Sequence, residues 1–194
     1  LSHRSLASSQ VSALLEDRSG ILWVGSPGNG ISKLDWRTNQ FVNYLREPGN
    51  PLSLSQAAVQ ALFVEGNDIL WVGTRGGGLD RLDRSRLRVT NYKQSAEREE
   101  DFPEFIGGNV IHAVFQDAGR SVWIGSENGL SVLERPTGKF LRYSHDAGDP
   151  ASLSHDIVTG IQASLDGNLW VATYGGGLNY FDLITRRFTH YPLK

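Results

Sequence analysis

The sequence contains few residues that could perform catalysis or hold a metal. It has five histidines and no cysteine, which excludes disulfides, thiolate ligands and a cysteine nucleophile. The histidines, at positions 3, 112, 145, 155 and 190, form neither an HExxH motif nor another paired spacing of metal ligands. No spacing assembles a nucleophile, a base and a group that orients the base. We therefore predict no catalytic residue, no metal site and no cofactor.

Two recurrent patterns resemble ligand-binding loops, but each has a simpler interpretation. Acidic turns at residues 17–20, 65–68, 117–120 and 166–167 contain residue types found in calcium loops without the ligand spacing of an EF-hand. The glycine runs at 76–78 and 175–177 are not followed by the GK[ST] motif of a phosphate-binding loop. Both patterns are typical of tight turns between strands. We interpret them as hairpin turns.

A tryptophan-bearing run returns four times and sets the register of the chain. Its copies lie at residues 21–26, 70–74, 122–126 and 169–173, and their tryptophans are 48, 52 and 47 residues apart. A period in this range indicates a repeat protein built from one supersecondary unit.

Each repeat has the pattern of four short strands separated by turns. In the first repeat, apolar runs at 11–15, 21–26, 31–35 and 41–44 alternate with turns rich in glycine, asparagine and aspartate. Four antiparallel strands in a period of about 40 to 50 residues are typical of a β-propeller blade. We therefore predict an all-β propeller segment with four blades, at approximately 5–45, 53–93, 105–144 and 152–192.

The connections between repeats carry their own recurrent feature. An apolar residue precedes each tryptophan at one offset, and we predict that these residues are plugs on crossing connections; they are Leu6, Leu54, Ile106 and Leu153. The second connection differs from the others because it is longer and contains the acidic run 97–101.

Positions that differ between repeats are free to take a functional role, because the repeated positions serve packing. The turn after the tryptophan strand carries Arg75, Glu127 and Tyr174 in the last three repeats. His112 stands on the presumed innermost strand, and Trp36 is the one tryptophan outside the register. Arginine and aromatic side chains can hold carboxylates or stack on sugars, so these five are our ligand-binding candidates. The alternatives are surface decoration for each, and for His112 a polar strand residue with a backbone partner.

The fourth repeat shows the motifs of the unit most fully, with Ser152-Leu153-Ser154-His155, the run 169–173, Gly176-Gly177-Leu178, Asp182, Thr185, Phe188 and Tyr191. In these motifs the repeats resemble the two-component regulator propeller repeat. The third departs from it, since Phe105-Ile106-Gly107-Gly108 replaces the Ser-Leu-Ser run.

This resemblance implies a function and a location. Similar proteins carry such propellers on the periplasmic side of the inner membrane, commonly ahead of a membrane helix and a histidine kinase, hybrid kinase or diguanylate cyclase. We therefore expect a sensory, non-catalytic, periplasmic segment whose ligand is a small molecule or glycan fragment. The alternatives are a propeller enzyme of lyase or glycoside hydrolase type and a pure protein-interaction scaffold. No binding residue of the family can be placed on a numbered position.

The number of repeats bears on association. Propellers of this family usually close with about seven blades, whereas this chain has four repeats. Either the four blades close a ring within the chain, or an open arrangement exposes apolar blade faces that a second chain covers. We expect the second, with self-association through those faces.

Composition narrows the classes of partner. The net charge is −2 and the pI is about 6.2, which gives no electrostatic basis for binding nucleic acid or anionic lipid. No apolar run approaches the ~20 residues that span a bilayer, so we expect membrane attachment only through segments outside this chain. The 194 residues include no methionine, and we expect the chain to be part of a longer protein.

Overall fold

The computed structural model describes residues 5–94, 106–135 and 137–191. It divides into two compact units, Leu1–Tyr92 and Lys93–Lys194. Three sequence predictions fall on residues outside the described ranges: the acidic run 97–101, the start of the third repeat at 105 and the end of the fourth at 192.

The first unit contains two four-stranded antiparallel sheets. Sheet 1 comprises β1 (Ala13–Glu16), β2 (Ile21–Gly25), β3 (Ile31–Asp35) and β4 (Gln40–Tyr44). Sheet 2 comprises β5 (Val59–Glu65), β6 (Ile69–Thr74), β7 (Leu79–Asp83) and β8 (Arg88–Tyr92). In both sheets each strand pairs with the next along the chain.

The second unit repeats this plan. Sheet 3 comprises β9 (Ile111–Gln116), β10 (Val122–Ser126), β11 (Gly129–Glu134) and β12 (Lys139–Tyr143). Sheet 4 comprises β13 (Val158–Ala163), β14 (Leu169–Thr173), β15 (Gly177–Asp182) and β16 (Arg187–Tyr191). The described residues contain no helix, so the prediction of an all-β chain with four four-stranded antiparallel sheets is confirmed.

In each unit the core lies between its two sheets. In the first unit, Trp23 and Ile31 of sheet 1 form one cluster with Leu70, Val72 and Leu82 of sheet 2. In the second unit the equivalent cluster joins sheets 3 and 4; it contains Trp123, Leu130, Val132, Leu169, Val171, Phe181 and Phe188. Trp23 and Trp123 therefore anchor the first sheet of each unit to the second sheet of the same unit.

The glycine after the tryptophan strand has a packing role. A Cβ on Gly25 would lie 2.7 Å from Cγ1 of Val59, and a Cβ on Gly125 would lie 2.6 Å from Cγ1 of Val158. Glycine therefore lets the first strand of the next sheet approach closely. Ala172 stands at this place in sheet 4.

Three of the four predicted plugs are buried. Leu54, Ile106 and Leu153 are 3%, 1% and 0% exposed, and Leu54 and Leu153 belong to the cores of their units. The prediction was wrong for Leu6, which is 42% exposed. Leu54 and Leu153 each lie between two sheets of their unit, whereas Leu6 precedes the first sheet and has no earlier described sheet to pack against.

A buried polar residue on the third strand holds the chain next to each plug. It accepts a hydrogen bond from the backbone N–H one residue after the plug, and the four residues are Ser32, Asp80, Ser131 and Asn179. All four are at most 1% exposed. We call this contact the plug clasp. Because a buried N–H without a partner is costly, the clasp fixes the course of every crossing connection.

Candidate functional site

The strand order defines two ends in every sheet. Successive strands run antiparallel, so the turn between the second and third strands lies beside the start of the first strand. We call this the upper end of the sheet. The turns between the first and second strands and between the third and fourth strands form its lower end.

In the first unit the candidates lie at opposite ends. Arg75 is exposed at the upper end of sheet 2, where its N–H donates to the carbonyl of Ala58 at 2.8 Å. Trp36 is 62% exposed at the lower end of sheet 1, with the guanidinium of Arg37 5.3 Å from its ring centre. The structure therefore does not bring Trp36 and Arg75 together.

In the second unit three candidates share the upper ends of sheets 3 and 4. A bond of 2.6 Å from Gly129 N–H to the carbonyl of Asp156 joins these ends. Tyr174 is 71% exposed on its turn, and His112 is half-buried on β9. Tyr174 is thus the most accessible aromatic side chain among the candidates.

Glu127 has a structural role that the sequence did not reveal. Its Oε1 accepts from Asn109 N–H at 3.0 Å and its Oε2 from Val110 N–H at 2.7 Å. A Cβ on Gly108 would lie 2.6 Å from Oε2. The carboxylate therefore supports the segment in which the third repeat departs from the Ser-Leu-Ser pattern. Its role in ligand binding stays a prediction.

His112 occupies a β-bulge. The register of β9 against β10 skips from Ala113 opposite Gly125 to Ile111 opposite Ser126, so His112 is the extra residue. Gln60 and Thr159 are bulged in the same way in sheets 2 and 4. Bulges re-aim a side chain and are common near functional sites. The sequence singled out His112 but could not show the bulge, which recurs at the same position in sheets 2, 3 and 4.

Carboxylates at the lower ends hold three of the four register tryptophans. Asp17, Glu65 and Asp117 accept the indole N–H of Trp23, Trp71 and Trp123 at 3.0, 2.9 and 2.8 Å. The oxygen Oδ1 of Asp17 also accepts the N–H groups of Ser19 and Ile21. These acidic residues therefore organise hairpin turns and tryptophans, in agreement with the hairpin interpretation.

Arg84 adds an ion pair to the first of these anchors. Its Nη1 lies 2.7 Å from Oδ2 of Asp17, and its guanidinium lies 5.2 Å from the ring centre of Trp23. Burial opposes ionisation of Asp17, but the bonds from Ser19, Trp23 and Arg84 outweigh it and hold the pKa of this carboxyl well below its usual range. Sequence reasoning missed Arg84, since its partner lies in the preceding repeat.

The turn between β13 and β14 is built differently from its counterparts in the other repeats. The sequence analysis grouped its Asp166 with Asp17, Glu65 and Asp117, and the structure corrects this grouping. Ser164, six residues before Trp170, stands where the other repeats have Asp17, Glu65 and Asp117. Asp166 accepts instead from the hydroxyl of Tyr180, and this bond, with the backbone N–H of Asn168, lowers the pKa of Asp166 to about 2. Asp166 is therefore not the counterpart of the other three acidic residues.

The described part of the chain contains neither a cluster of metal ligands nor a membrane-spanning helix. Across residues 5–94, 106–135 and 137–191, no group of three or more histidine, aspartate or glutamate side chains is placed to hold a metal ion. In the same part of the chain no helix has the length and apolarity needed to cross a membrane.

Comparison with known proteins identifies the repeat. Residues 5–28 match the family described as two component regulator propeller. Residues 5–28 carry the two-component regulator propeller repeat. No curated protein sequence matches the chain.

Comparison with solved structures shows the fold of the chain. The extracellular domain of a B. thetaiotaomicron protein described as a hybrid two-component system matches 97% of the chain at 20% identity, with a TM-score of 0.82. A second such domain, from a B. thetaiotaomicron protein described as a one-component system, matches 97% at 19% identity with a TM-score of 0.71. This chain covers 25% of the length of each of those chains. The four sheets are thus β-propeller blades, and the predicted fold class is confirmed.

A propeller enzyme also shares the fold. Virginiamycin B lyase from Staphylococcus aureus matches 94% of this chain at 13% identity with a TM-score of 0.67, and 55% of the lyase chain is covered. The match has lower identity and a lower TM-score than those to the extracellular domains.

Proposed function

We propose that this chain is a non-catalytic, ligand-recognising propeller segment in the periplasmic sensor of a bacterial signal-transduction protein. The observation that carries the proposal is the likeness of 97% of the chain to the extracellular domain of a hybrid two-component system. The regulator propeller repeat at residues 5–28 supports it. The output domain is a histidine kinase, a hybrid kinase or a diguanylate cyclase in another part of the protein.

Ligand recognition is assigned to the upper ends of the blades. Arg75 and Tyr174 are exposed there on turns whose backbone is fixed by bonds to Ala58 and Ile157. A guanidinium on a fixed turn can pair with a carboxylate, and an exposed tyrosine ring can stack on a sugar. Arg75 belongs to the first unit and Tyr174 to the second, so we propose each turn as a separate contact: Arg75 for a ligand that carries a carboxylate, and Tyr174 for a glycan fragment.

The binding test uses an oligosaccharide that contains a uronic acid, titrated into the protein by calorimetry. We expect saturable binding that weakens at least about tenfold in the variant of the turn that holds the oligosaccharide, Arg75→Ala in the first unit or Tyr174→Ala in the second, because that variant removes a contact worth about 1.4 kcal/mol. Trp36→Ala, at the lower end, is the matched control and should leave the affinity unchanged. Binding that is lost only in Trp36→Ala would move the site to the lower end.

The likeness to virginiamycin B lyase supplies an enzyme as a second candidate. The same titration decides it, since a lyase or glycoside hydrolase would convert the oligosaccharide during the experiment. New reducing ends or unsaturated products would contradict the non-catalytic proposal. A pure interaction scaffold would instead show no binding of small ligands.

We also propose that two copies of the chain associate through the outer faces of their terminal blades. On sheet 1, the face turned away from sheet 2 carries Leu14, which is 65% exposed, with Leu22 and Leu34 half-buried. Their counterparts Leu70 and Leu82 in sheet 2 are 0% and 3% exposed beneath sheet 1. The first blade thus carries an apolar face of the kind that is covered in the second.

The fourth blade offers the complementary face. Trp170 packs with Tyr180 and Tyr191 at ring-centre distances of 5.0 and 5.6 Å. Tyr191 is 51% exposed and Leu178 is 39% exposed. In sheet 3 the counterparts of Trp170 and Leu178 are Trp123 and Leu130, at 4% and 0% exposure beneath sheet 4.

Sedimentation velocity tests this association. We expect concentration-dependent dimers, and we expect Leu14→Glu to shift them to monomer because it places a charge in an apolar contact. The control is Leu165→Glu on the exposed turn between β13 and β14, which should leave the dimer unchanged. A compact monomer at every concentration would contradict this part of the proposal.

A further inference from the structure

The second unit contains a cavity of about 230 Å³ between sheets 3 and 4 at their lower ends. Two carboxylates line it, Asp117 and Glu134, together with the rings of Trp123, Tyr143 and Phe181. Pockets that hold drug-sized ligands begin at about 300 Å³. The cavity is therefore suited to a group about as large as one amino-acid side chain.

The first unit shows what occupies the equivalent place there. Asp17 and Trp23 correspond to Asp117 and Trp123, and both units keep the indole bond to the carboxylate. Tyrosines pack on the two tryptophans at similar ring-centre distances, 6.0 Å for Trp23–Tyr44 and 6.3 Å for Trp123–Tyr143. In the first unit the guanidinium of Arg84 completes this arrangement through its ion pair with Asp17 and its position over Trp23.

In the second unit the position equivalent to Arg84 carries no guanidinium. Leu183 stands 13 residues after Trp170, as Arg84 stands 13 residues after Trp71, and Leu183 lines the cavity. The oxygen Oδ2 of Asp117 accepts from Trp123 at 2.8 Å, whereas Oδ2 of Asp17 accepts from both Trp23 and Arg84. Among the described residues, Asp117 forms no ion pair.

We propose that this cavity binds a small organic cation that carries a guanidinium or primary ammonium group. The cation would lie against Asp117 and the face of Trp123, as Arg84 does in the first unit. Glu134 adds a second negative charge, and Arg186 at the rim is exposed and adds one positive charge. The lining therefore carries a net charge of −1, which favours a cation beside an aromatic wall.

This cavity is separate from the upper-end ligand contacts that are proposed above for Arg75 and Tyr174. Arg75 and Tyr174 do not line the cavity, so failure of oligosaccharide binding leaves this inference untouched. A free amine and the arginine side chain of a peptide present the same chemistry, and the experiment includes one probe for each source.

The test titrates agmatine and N-acetyl-L-arginine amide into the 194-residue chain at low salt, read by calorimetry and tryptophan fluorescence. We expect saturation by at least one probe with a dissociation constant of about 1 mM or below. Leu183→Arg should abolish binding because it supplies an internal guanidinium, as Arg84 does. Leu183→Met, which keeps an apolar side chain of similar volume, should retain it.

A second variant makes the result independent of how Leu183→Arg folds. Asp117→Asn keeps an oxygen for the turn N–H of Ser121 but removes the charge, and we expect the affinity to fall at least about tenfold. Thermal unfolding of each variant is measured beside the titration. Absence of saturation by both probes up to tens of millimolar, or binding that persists in Asp117→Asn, would overturn the proposal.

Discussion

Leu153→Ala should lower the free energy of unfolding by about 3 kcal/mol, among the larger effects of any single truncation in this protein. Leu153 is 0% exposed and lies in the core of the second unit. The two sheets and the plug clasp from Ser154 N–H to Asn179, at 3.0 Å, limit how far the site can collapse around the lost methyl groups. Urea unfolding monitored by tryptophan fluorescence measures the change.

The repeat supplies a matched control at the same offset. Leu6 is 42% exposed, so Leu6→Ala should change stability by no more than about 0.5 kcal/mol. If the two truncations cost the same, Leu153 would not be the plug between sheets 3 and 4 that its burial indicates.

Asp17→Asn should lower the free energy of unfolding by about 2 kcal/mol at pH 7. The substitution removes the charge that pairs with Arg84, and it turns an amide N–H₂ toward the donors of Trp23 or Arg84. We expect less than the cost of breaking a fully buried pair, because the side chain of Arg84 is 16% exposed. Asp117→Asn is the control and should cost less, because no described cation pairs with Asp117.

The effect of Asp17→Asn should depend on pH in a defined direction. The folded protein holds the pKa of Asp17 below its usual range, and the unfolded chain restores it to about 3.9. The carboxylate therefore stabilises the fold fully above about pH 5, and this contribution is lost as the pH falls toward the folded pKa. The difference between wild type and Asp17→Asn should shrink by about 1 kcal/mol at pH 3. A difference that is constant or larger at pH 3 would contradict the role assigned to the ion pair.

The sequence predicted the architecture because its signal is periodic and local. The spacing of Trp23, Trp71, Trp123 and Trp170 set the register, and every sheet formed with the strand order that this register required. The burial of Leu54, Ile106 and Leu153 was also predictable, since these residues precede the tryptophans of their repeats by the same distance and therefore share a packing role.

The lateral contacts could not be predicted in the same way. Arg84 and Asp17 are 67 residues apart and belong to different repeats, so only the packing of sheet 1 on sheet 2 reveals the pair. The plug clasp uses four positions occupied by three residue types, Ser, Asp and Asn, which hides it from a search for identical residues. The role of Glu127 depends on backbone amides, which carry no signal in the sequence.

The sequence marks candidate binding residues less clearly than the fold, because the candidates lie at positions that are not repeated. Repeated positions are constrained by packing between blades, whereas we propose that recognition uses positions that differ from one repeat to the next, such as Arg75 and Tyr174. The cavity beside Asp117 follows the same logic, because it arises where Leu183 replaces the arginine of the earlier repeat. Differences between equivalent positions are therefore the most informative feature of this chain.

The proposed periplasmic location is tested most directly by labelling the chain from outside the inner membrane. The chain has no cysteine, so Leu165→Cys introduces a labelling site on a fully exposed turn. The substitution is made in the full-length protein in its host, and labelling of the unsubstituted protein gives the background. We predict that a maleimide which cannot cross the inner membrane labels Leu165→Cys in intact cells, while a Val171→Cys control in the core reacts only after denaturation. Labelling of Leu165→Cys only after the inner membrane is broken would contradict a periplasmic sensor.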